Sequence, residues 1–551
     1  MNGAELLVRE LQSRGVSFVS VLCGNGLDSF LMAASKAGLR VVDTRNEQAA
    51  SYIAETYARL TGRVGVCAVS SGVAHVNAFA GLLNAYYDGA PVLLITGASH
   101  SVTLGRGGFQ DLDQVALARP LCKFAELVTG VRRIPSAVRE AFAAATTGRP
   151  GPVHLTIPAD VLAADAGEIE AQCSRPVRTR VANVCPGDEA LVRDAARAIA
   201  EASRPIIVAG TGVFYAGGGE ALIRFAQLAG IPIVTPIWDR GVVDKPCAQF
   251  LGVVGAASGE PKLLEDADLI VLAGAAVDYR VRCLDSPPLA KGVKVVRIDA
   301  DSGQLHRGAE PDIAILGDPR TVFEQLRQCY AADRLAGHGQ WLAEAQQRHR
   351  QFYSRWVSAP RSTGRPLTGA HIVHSLRGVI SDETIFLIDG GNIGQWAHMV
   401  LCSDRYPSNW PTCGASAVVG WGFPGAMGAR LAFPDRPVLL LSGDGAAGFG
   451  LPELESSVRQ KLPFVAVVAD DRAWGIVVTG QRRWKGVSVA SELGGTDYAR
   501  VAEGFGARGV RAETMDEIAR AVKDGFASGR TTLVHVPIRI AGPSELDTED
   551  A

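Results

Sequence analysis

Short runs of apolar and β-branched residues recur along the chain, and segments with a helical pattern lie between them. In the first third of the chain, such runs occupy residues 16–22, 64–70, 91–97 and 152–158. Residues 47–60, with the sequence EQAASYIAETYARL, have the pattern of a helix. Strands that alternate with helices in this way form a parallel sheet with helices on both faces.

Two further blocks repeat this alternation. In the second block the apolar runs are residues 204–210, 231–236, 267–274 and 293–299. In the third block they are residues 384–391, 437–445, 463–471 and 531–538. At 551 residues the chain also exceeds the size of one hydrophobic core. The sequence therefore predicts an α/β protein with three doubly wound parallel-sheet domains, which comprise residues 1–165, 187–330 and 366–545.

Segments without a clear period separate the three blocks. Residues 160–187 show neither the helical nor the strand period. Residues 332–356 are rich in helix formers, and residues 358–369 then supply proline, glycine and serine. We interpret the first and the last of these segments as connections between domains.

Composition narrows the range of partners. Hydrophobic residues make up 47% of the chain and charged residues 20%, and 55 Lys and Arg balance 57 Asp and Glu. This balance argues against disorder and against a nucleic-acid partner. The N-terminal residues 1–15 have a charged amphipathic pattern, and no uncharged apolar run reaches about 18 residues, so neither a signal peptide nor a membrane span is expected. Ten cysteines without CxxC spacing fit reduced thiols and predict a cytoplasmic protein.

The segment SGDGAAGFG, residues 442–450, is the clearest candidate for chemistry. It follows a predicted strand, and glycine-rich turns at the carboxyl ends of parallel strands let backbone N–H groups approach phosphate oxygens. Gly443 and Gly445 would allow a tight turn. Residues 451–460 are then expected to continue as a helix.

Two carboxylates are expected to meet at this edge of the sheet. Asp444 lies in the GDG triplet, and the next predicted strand ends in Asp470 and Asp471. Adjacent parallel strands end side by side, and magnesium prefers oxygen ligands from one or two carboxylates, water and ligand phosphates. The pattern therefore favours a magnesium ion that holds a diphosphate. The alternative is an ordinary turn in which Asp444 caps the following helix.

This arrangement resembles that of the thiamine diphosphate-dependent enzymes of the acetolactate synthase type, in which GDG is followed along the chain by a pair of asparagines. The resemblance covers nearly the whole chain. Further segments match the family's pattern in the same order, at residues 45–62, 70–97, 107–123 and 420–435. A weaker likeness at residues 274–281 is to the flavin-contacting stretch of the family's middle domain.

The resemblance implies which residues take part in the reaction. Glu47 would be the carboxyl group that activates the pyrimidine ring of the cofactor. From the residues alone, Glu47 is also a glutamate favoured by the dipole at the start of a helix. Asn25 and Gln110 would face the reacting carbon atom, although Gln110 could equally be an amide in a surface loop.

The resemblance also implies how thiamine diphosphate and Mg2+ are held. Asp444, Asp471 and the carbonyl oxygen of Ala473 would bind the magnesium ion. The residues expected next to the diphosphate are Gly443, Gly445, Ala446 and Asn392.

Two further residues would shape the cofactor in such an enzyme. Val419 would force it into its bent form, and the carbonyl oxygen of Ala417 would accept a hydrogen bond from its aminopyrimidine ring. In isolation both residues would pass as core. In the family, the first domain of one subunit and the third domain of another share a site, so a homodimer or homotetramer is expected.

The sequence departs from the family at three places. Asp470 and Asp471 replace the asparagine pair, which places more negative charge beside the diphosphate and predicts weaker cofactor binding. Asn46 replaces the usual histidine before the activating glutamate, a variant associated with the 2-hydroxyacyl-CoA lyase branch. Gly480 replaces the tryptophan that selects the acceptor in true acetolactate synthases, which predicts a larger acceptor pocket.

These features leave four functions to compare. The first is decarboxylation of a 2-oxoacid such as pyruvate, followed by transfer of the C2 carbanion to a carbonyl acceptor. The second is a lyase that cleaves 2-hydroxy ketones or 2-hydroxyacyl-CoA. The third is a flavin-linked oxidoreductase similar to pyruvate oxidase. The fourth is a non-catalytic relative that binds the cofactor.

A nucleotide site in the central domain is left open by the sequence. Residues 210–219 lack the GxGxxG spacing, so their glycines favour a turn over a dinucleotide cradle. Asp299 and Asp301 could contact a ribose or lie in a solvated loop. FAD, ADP and no nucleotide are therefore the three alternatives.

Overall fold

The computed structural model describes residues 1–167, 184–255, 262–333, 335–357 and 366–542. Three parallel sheets follow one another along the chain, each covered by helices. The α/β class predicted from the sequence is therefore confirmed. Most of the predicted connection at residues 160–187, and most of that at 358–369, lie outside the described residues.

The first sheet lies in the N-terminal third of the chain. Its strands are β1 (Phe18–Val21), β2 (Arg40–Asp43), β3 (Gly65–Val69), β4 (Val92–Ala98), β5 (Ala125–Leu127) and β6 (Val153–Pro158). The helices of this part are α1 (Gly3–Ser13), α2 (Asp28–Lys36), α3 (Glu47–Thr61), α4 (Val73–Asp88), α5 (Gln114–Ala118), α6 (Ile134–Thr146) and α7 (Ala159–Ala163). The strands are parallel and lie in the order β2-β1-β3-β4-β6-β5.

The second sheet lies in the central part of the chain. Its strands are β7 (Pro205–Ala209), β8 (Ile233–Pro236), β9 (Phe250–Val254), β10 (Leu269–Ala273), β11 (Lys294–Asp299) and β12 (Ile313–Leu316). The helices are α8 (Glu189–Glu201), α9 (Thr211–Tyr215), α10 (Gly219–Ala229), α11 (Ser302–Leu305), α12 (Pro319–Asp333) and α13 (Gly339–Val357). The strands are again parallel, in the order β12-β11-β10-β7-β8-β9.

The third sheet lies in the C-terminal third of the chain. Its strands are β13 (Ile385–Asp389), β14 (Val438–Gly443), β15 (Val465–Asp470), β16 (Arg508–Arg511) and β17 (Thr532–Pro537). The helices are α14 (Gly369–Arg377), α15 (Gly391–Leu401), α16 (Gly422–Ala432), α17 (Asp444–Gly450), α18 (Glu453–Arg459), α19 (Gly475–Lys485), α20 (Tyr498–Gly504) and α21 (Met515–Ser528). The parallel strands lie in the order β13-β14-β15-β17-β16.

Five strands fall outside the predicted apolar runs: β2, β5, β9, β12 and β16. Each of the five lies at an edge of its sheet. Four of them are only partly buried, and β9 is the buried exception. An edge strand has a neighbour on one side only, so its sequence need not be apolar throughout.

Helix α3 joins the first sheet to the third. Its N-cap is Asn46, whose side chain accepts a hydrogen bond from Ala49 N at 2.8 Å. The helix packs closely on α16, where a Cβ atom added to Gly428 would lie 2.6 Å from the carbonyl oxygen of Ile53. A glycine at this position therefore lets the two backbones approach. The contact fixes the first domain against α16, the helix between β13 and β14 of the third sheet.

Two other expectations can be compared with the fold. The described cysteines are all free thiols, in agreement with the absence of CxxC spacing. None of the helices in the described ranges combines the length and the apolar character needed to cross a membrane.

Candidate active site

A cavity of about 240 Å³ opens at the carboxyl edge of the third sheet. It lies beyond the ends of β14 and β15, which are neighbours with Gly443 opposite Ala469. The predicted cofactor contacts that line it are Asn392, Ala417, Val419, Gly443, Asp444, Gly445, Ala446, Asp471 and Ala473. The structure thus brings together every residue of the third domain that was expected to contact the cofactor or the metal.

Asp444 is the first residue of helix α17, which begins directly after β14 with Gly443 as its N-cap. The sequence had suggested a turn here and a helix only from residue 451, so the helix starts seven residues earlier than expected. The alternative in which Asp444 caps the helix is wrong, because Gly443 takes that position. The Oδ2 atom of Asp444 is buried and has no hydrogen-bond partner.

The electrostatics of this pocket suit a cation. Burial and the nearby carboxylates of Asp471 and Asp470 hold the pKa of Asp444 well above its usual range. Burial likewise raises the pKa of Asp471. Carboxyl groups whose pKa is raised by burial and by neighbouring carboxylates release their protons when they bind a divalent cation.

Asn392 supplies a donor to the same cavity. Its Nδ2 atom is buried without a hydrogen-bond partner. A Cβ atom added to Gly475 would lie 2.8 Å from this nitrogen and 2.3 Å from Asp471 Oδ2, which shows that both side chains converge beside Gly475. Asp471 Oδ1 accepts a hydrogen bond from Ala473 N at 3.1 Å. A donor without a partner beside carboxylate oxygens can bind a phosphate group, and a divalent cation can link that phosphate to the carboxylates.

The residues present therefore fit a diphosphate held through a divalent cation. Asp444 Oδ2 lacks a partner and is an acceptor, while Asn392 Nδ2 lacks a partner and is a donor. In the part of the chain that the structure describes, no group of three or more His, Cys, Asp or Glu side chains could hold a metal by itself. A cation here would need backbone, water and phosphate oxygens to complete its shell.

Asp470 does not line this cavity. Its Oδ2 atom lies 2.8 Å from His535 Nε2, and its Oδ1 atom accepts a hydrogen bond from Arg472 N at 3.2 Å. The extra carboxylate that the sequence placed beside the diphosphate is thus paired with an imidazole on β17. Of the two acidic residues that replace the family's asparagines, only Asp471 lines the cavity.

The segment that carries Ala417 and Val419 has a constrained backbone. Ala417 has a φ of 54°, in the left-handed region that non-glycine residues rarely adopt. Beyond it, Gly420 N and Gly422 N donate to the carboxylate of Asp389 at 3.1 and 2.8 Å. Burial raises the pKa of Asp389 to about 7. This buried carboxylate fixes the C-terminal side of the segment.

Sequence reasoning missed several residues of the cavity wall, and Trp238 is the most informative of them. It comes from the central domain, has a φ of 71°, and its carbonyl oxygen accepts a hydrogen bond from Thr412 Oγ1 at 3.0 Å. No local pattern marks Trp238, because its place depends on how two domains pack. Trp474 and Ile476, by contrast, follow the Asp470–Asp471 pair closely and could have been found by extending that motif.

The predicted catalytic residues of the first domain do not line this cavity. Asn25 follows β1, Glu47 begins α3 after β2, and both lie on the carboxyl side of the first sheet. Glu47 Oε2 accepts a hydrogen bond from Asn77 Nδ2 at 3.0 Å. Gln110, with a φ of 52°, accepts one from Ser71 Oγ at 3.1 Å. Within one chain, the structure therefore leaves these three residues apart from the third domain's cavity.

A second cavity, of about 100 Å³, lies between the first and central domains. Its wall includes Gly274, Ala275, Ala276 and Arg280, from the stretch that resembles a flavin contact, and it also includes Asp299. Asp299 is buried, which raises its pKa to about 6. The expectation of a solvated loop is therefore wrong for Asp299. Asp301 instead caps helix α11.

Family models match the three parts of the chain in order. The models are described as thiamine pyrophosphate enzyme, N-terminal TPP binding domain, at residues 1–117; central domain, at 192–326; and C-terminal TPP binding domain, at 389–536. The chain belongs to the thiamine pyrophosphate enzymes. Thiamine diphosphate is accordingly its cofactor.

Comparison with individual proteins narrows the class. A probable acetolactate synthase large subunit from Methanocaldococcus jannaschii is 30% identical over 555 residues, which cover 98% of this chain and 92% of that protein. Proteins named 2-hydroxyacyl-CoA lyase 2 from Bos taurus and Homo sapiens are each 30% identical over 569 residues, which cover 95% of this chain and 87% of those proteins. This chain is an acetolactate synthase-like enzyme of the transferase and lyase kind.

Proposed function

We propose that this enzyme uses thiamine diphosphate and Mg2+ to decarboxylate a 2-oxoacid of the pyruvate type and to join the remaining acyl unit to a carbonyl acceptor. One observation carries the proposal. Asp444 Oδ2 and Asn392 Nδ2 are both buried without partners on the wall of one cavity, at the carboxyl edge of a parallel sheet. They offer an acceptor for a cation and a donor for a phosphate at the same place.

Residues of the third domain would hold the cofactor. Asp444, Asp471 and the Ala473 carbonyl group would bind the magnesium ion, and Asn392 would donate to the diphosphate. The backbone N–H groups of α17's first turn, at Gly445 and Ala446, would face the same phosphate oxygens. When bound, the cofactor would supply a nucleophilic carbon that adds to the carbonyl group of the 2-oxoacid and a cationic ring that takes up the electron pair left by decarboxylation. Ala417 and Val419 would orient its pyrimidine ring.

A second copy of the chain would complete the site. Glu47, Asn25 and Gln110 lie away from the cavity in their own chain, so a partner subunit would bring them to it. Helix α4 of the first domain exposes Val73 and Val76, at 63% and 48%, beside the edge that carries these residues. Exposed apolar rows of this kind mark protein interfaces, and two copies related by a twofold axis would cover each other's rows. A homodimer is the smallest assembly with this property, and a homotetramer would contain it.

The experiment that tests the reaction measures carbon dioxide release and coupled product from pyruvate with thiamine diphosphate and magnesium. Glu47→Gln removes the proposed carboxyl group but keeps its size, and we expect a loss of at least about 100-fold in kcat. The matched control is Glu140→Gln, on the surface helix α6 of the same domain. Turnover in Glu47→Gln equal to that of the wild type would reject the proposed role.

A lyase is the second candidate, and three observations favour it. The relatives named 2-hydroxyacyl-CoA lyase 2 match nearly the whole chain. A Cβ atom added to Gly480 would meet no atom within 4 Å, so the space that the family's tryptophan would fill is open in this chain. Asn46 caps α3 directly before Glu47. This candidate predicts aldehyde release from a 2-hydroxyacyl-CoA without carbon dioxide, whereas the first candidate predicts carbon dioxide from a 2-oxoacid.

The second cavity is relevant to the two remaining alternatives, the flavin-linked oxidoreductase and the non-catalytic relative. Its lining supports binding of a nucleotide such as ADP or FAD, since it includes Gly212, the buried Asp299, and Gly274, Ala275, Ala276 and Arg280. A purified protein with a flavin absorbance band would favour the oxidoreductase alternative, and a colourless protein that binds ADP would favour a structural nucleotide. The non-catalytic alternative requires cofactor binding without turnover of any 2-oxoacid or 2-hydroxyacyl thioester.

A further inference from the structure

Four polar side chains form a buried cluster between helices α3 and α4 that the proposed reaction does not use. They are Glu55, Arg59, Asn84 and Asp88, and each is at most 1% exposed. Arg59 Nη2 lies 2.7 Å from Asp88 Oδ2, and Arg59 Nη1 lies 3.4 Å from Glu55 Oε1. Asn84 Nδ2 donates to Glu55 Oε1 at 2.9 Å. We call these four residues the buried cluster.

The buried cluster is bonded to the segment that carries the proposed pyrimidine contacts. We call residues 412–419 the strap. Three hydrogen bonds join the two: Arg59 Nη1 donates to the Thr412 carbonyl oxygen at 2.7 Å, Ala415 N donates to Asp88 Oδ1 at 2.9 Å, and Ser416 Oγ donates to Asn84 Oδ1 at 2.5 Å. Side chains of the first domain thus hold the strap at Thr412, Ala415 and Ser416, all of which precede Ala417 in the chain.

The backbone of the strap is strained at Ala417, so the strap needs such support. Gly414 has a φ of 76° and Ala417 a φ of 54°. A Cβ atom added to Gly414 would lie 2.5 Å from Asp88 Oδ2, so the strap runs directly against this carboxylate. Left-handed backbone at a non-glycine residue costs free energy and persists only where the surroundings determine it. The hydrogen bond from Ala415 N to Asp88 fixes the backbone two residues before Ala417.

A buried cluster of charged side chains adds little net stability, because removing the charges from water costs free energy. Burial raises the pKa of Glu55 to about 7, which shows the cost of ionising a carboxyl group at this depth. Apolar residues of similar volume often stabilise a protein as well as a buried ion pair does, whereas a charged pair can select one arrangement of the chain. The arrangement selected here is that of the strap.

We propose that Asp88 is a positioning residue that holds the strap in the conformation in which the Ala417 carbonyl group and Val419 meet the pyrimidine ring of the cofactor. The proposal rests on the cofactor contacts given under the proposed function. Asp88 acts through the Ala415 N–H group and through Arg59, which in turn holds the Thr412 carbonyl group. It does not itself line the cofactor cavity.

The experiment measures the dissociation constant of thiamine diphosphate at saturating magnesium by calorimetry, together with the unfolding temperature of the cofactor-free protein. Asp88→Ala removes the hydrogen bond to Ala415 N and the ion pair with Arg59, and we expect the dissociation constant to rise at least about 10-fold. Asp88→Asn keeps an acceptor for Ala415 N, and we expect it to stay within about 3-fold of the wild type although it is less stable. If Asp88 only stabilised the fold, cofactor affinity would not depend on an acceptor for Ala415 N. Recovery of affinity in Asp88→Asn would therefore distinguish the positioning role.

Two further variants keep the inference falsifiable if Asp88→Ala does not fold. Ser416→Ala removes one bond to the strap without disturbing a buried charge, and we expect the dissociation constant to rise about 3-fold. Val208→Ala, within the second sheet, lowers stability without touching the strap and should leave the dissociation constant unchanged. Equal dissociation constants for wild type, Ser416→Ala and the folded Asp88 variants would overturn the inference. Absence of cofactor binding in the wild type would instead overturn the proposed function and the inference with it.

Discussion

His535 Nε2 lies 2.8 Å from Asp470 Oδ2, and both side chains are buried at the carboxyl edge of the third sheet. The two residues are on neighbouring strands, β17 and β15, so the pair links the strand that leads to Asp471, a proposed metal ligand, with the last strand along the chain. This contact explains how the chain carries two consecutive aspartates at the site without directing both into the cavity.

We expect His535→Ala to destabilise the protein by about 3 kcal/mol, because it leaves the Oδ2 atom of the buried Asp470 carboxylate without a partner. Asp470→Asn removes the charge and should cost no more than about 1.5 kcal/mol. Urea denaturation of the two variants and the wild type gives the comparison. The double variant should be more stable than His535→Ala, and an equal or lower stability would contradict the pairing.

Removal of the two proposed metal ligands, Asp444 and Asp471, should affect cofactor binding unequally. Asp444→Ala removes the acceptor that lacks a partner, and we expect cofactor affinity to fall at least about 100-fold. Asp471→Asn keeps an oxygen ligand and should stay within about 10-fold of the wild type. Calorimetry with magnesium measures both variants, and chelation with EDTA should abolish binding in the wild type. Tight binding that persists in EDTA would show that no divalent cation is needed.

Cofactor binding should release protons. The pKa values of Asp444 and Asp471 are raised by burial, and in Asp444 also by the neighbouring carboxylates, whereas both residues must be ionised to bind magnesium. Affinity is therefore expected to rise as pH rises from about 6 to about 8 and to be lost as pH falls. Calorimetry in two buffers of different ionisation enthalpy counts the protons released. Asp471→Asn should release fewer, and an unchanged count would contradict the assignment.

Glu453 should make stability depend on pH in a definite direction. Its side chain is fully buried, Oε1 accepts a hydrogen bond from Arg45 N at 2.9 Å, and burial raises its pKa from 4.5 to about 7. Between these values the folded state holds a proton that the unfolded state has lost, so stability falls as pH rises through this window. Relative to Glu453→Gln, the wild type should lose about 3 kcal/mol between pH 5 and pH 8. Parallel pH curves from urea denaturation would contradict this.

The proposed shared site predicts that assembly and activity are lost together. Val76→Glu places a charge in the exposed apolar row of α4, and we expect it to shift the molecular mass measured by light scattering toward the monomer and to reduce turnover at least about 10-fold. The control is Met32→Glu on α2, since Met32 is more exposed than Val76 and lies on a different helix. Full activity in a monomeric Val76→Glu variant would reject the shared site.

The sequence by itself determined the layout of the sheets and the chemistry at one strand edge. Twelve strands coincide with apolar runs. Eleven of them have neighbours on both sides and are buried along most of their length, and the twelfth, the edge strand β13, is also buried. Asp444 and Asp471 could be predicted for a related reason. Asp444 directly follows β14 and Asp471 directly follows β15. Parallel strands that are neighbours end at the same edge of a sheet.

Only the tertiary structure decided the rest of the site. Trp238 enters the cavity wall from another domain, His535 reaches Asp470 from the last strand, and Asp88 meets the strap across more than 300 residues of chain. Four of the five missed edge strands, namely β2, β5, β12 and β16, were missed because their side chains are partly solvated and lack a continuous apolar run. Contacts between residues far apart in the chain leave no periodic signal, so they are fixed by packing and by the pairing of buried polar groups.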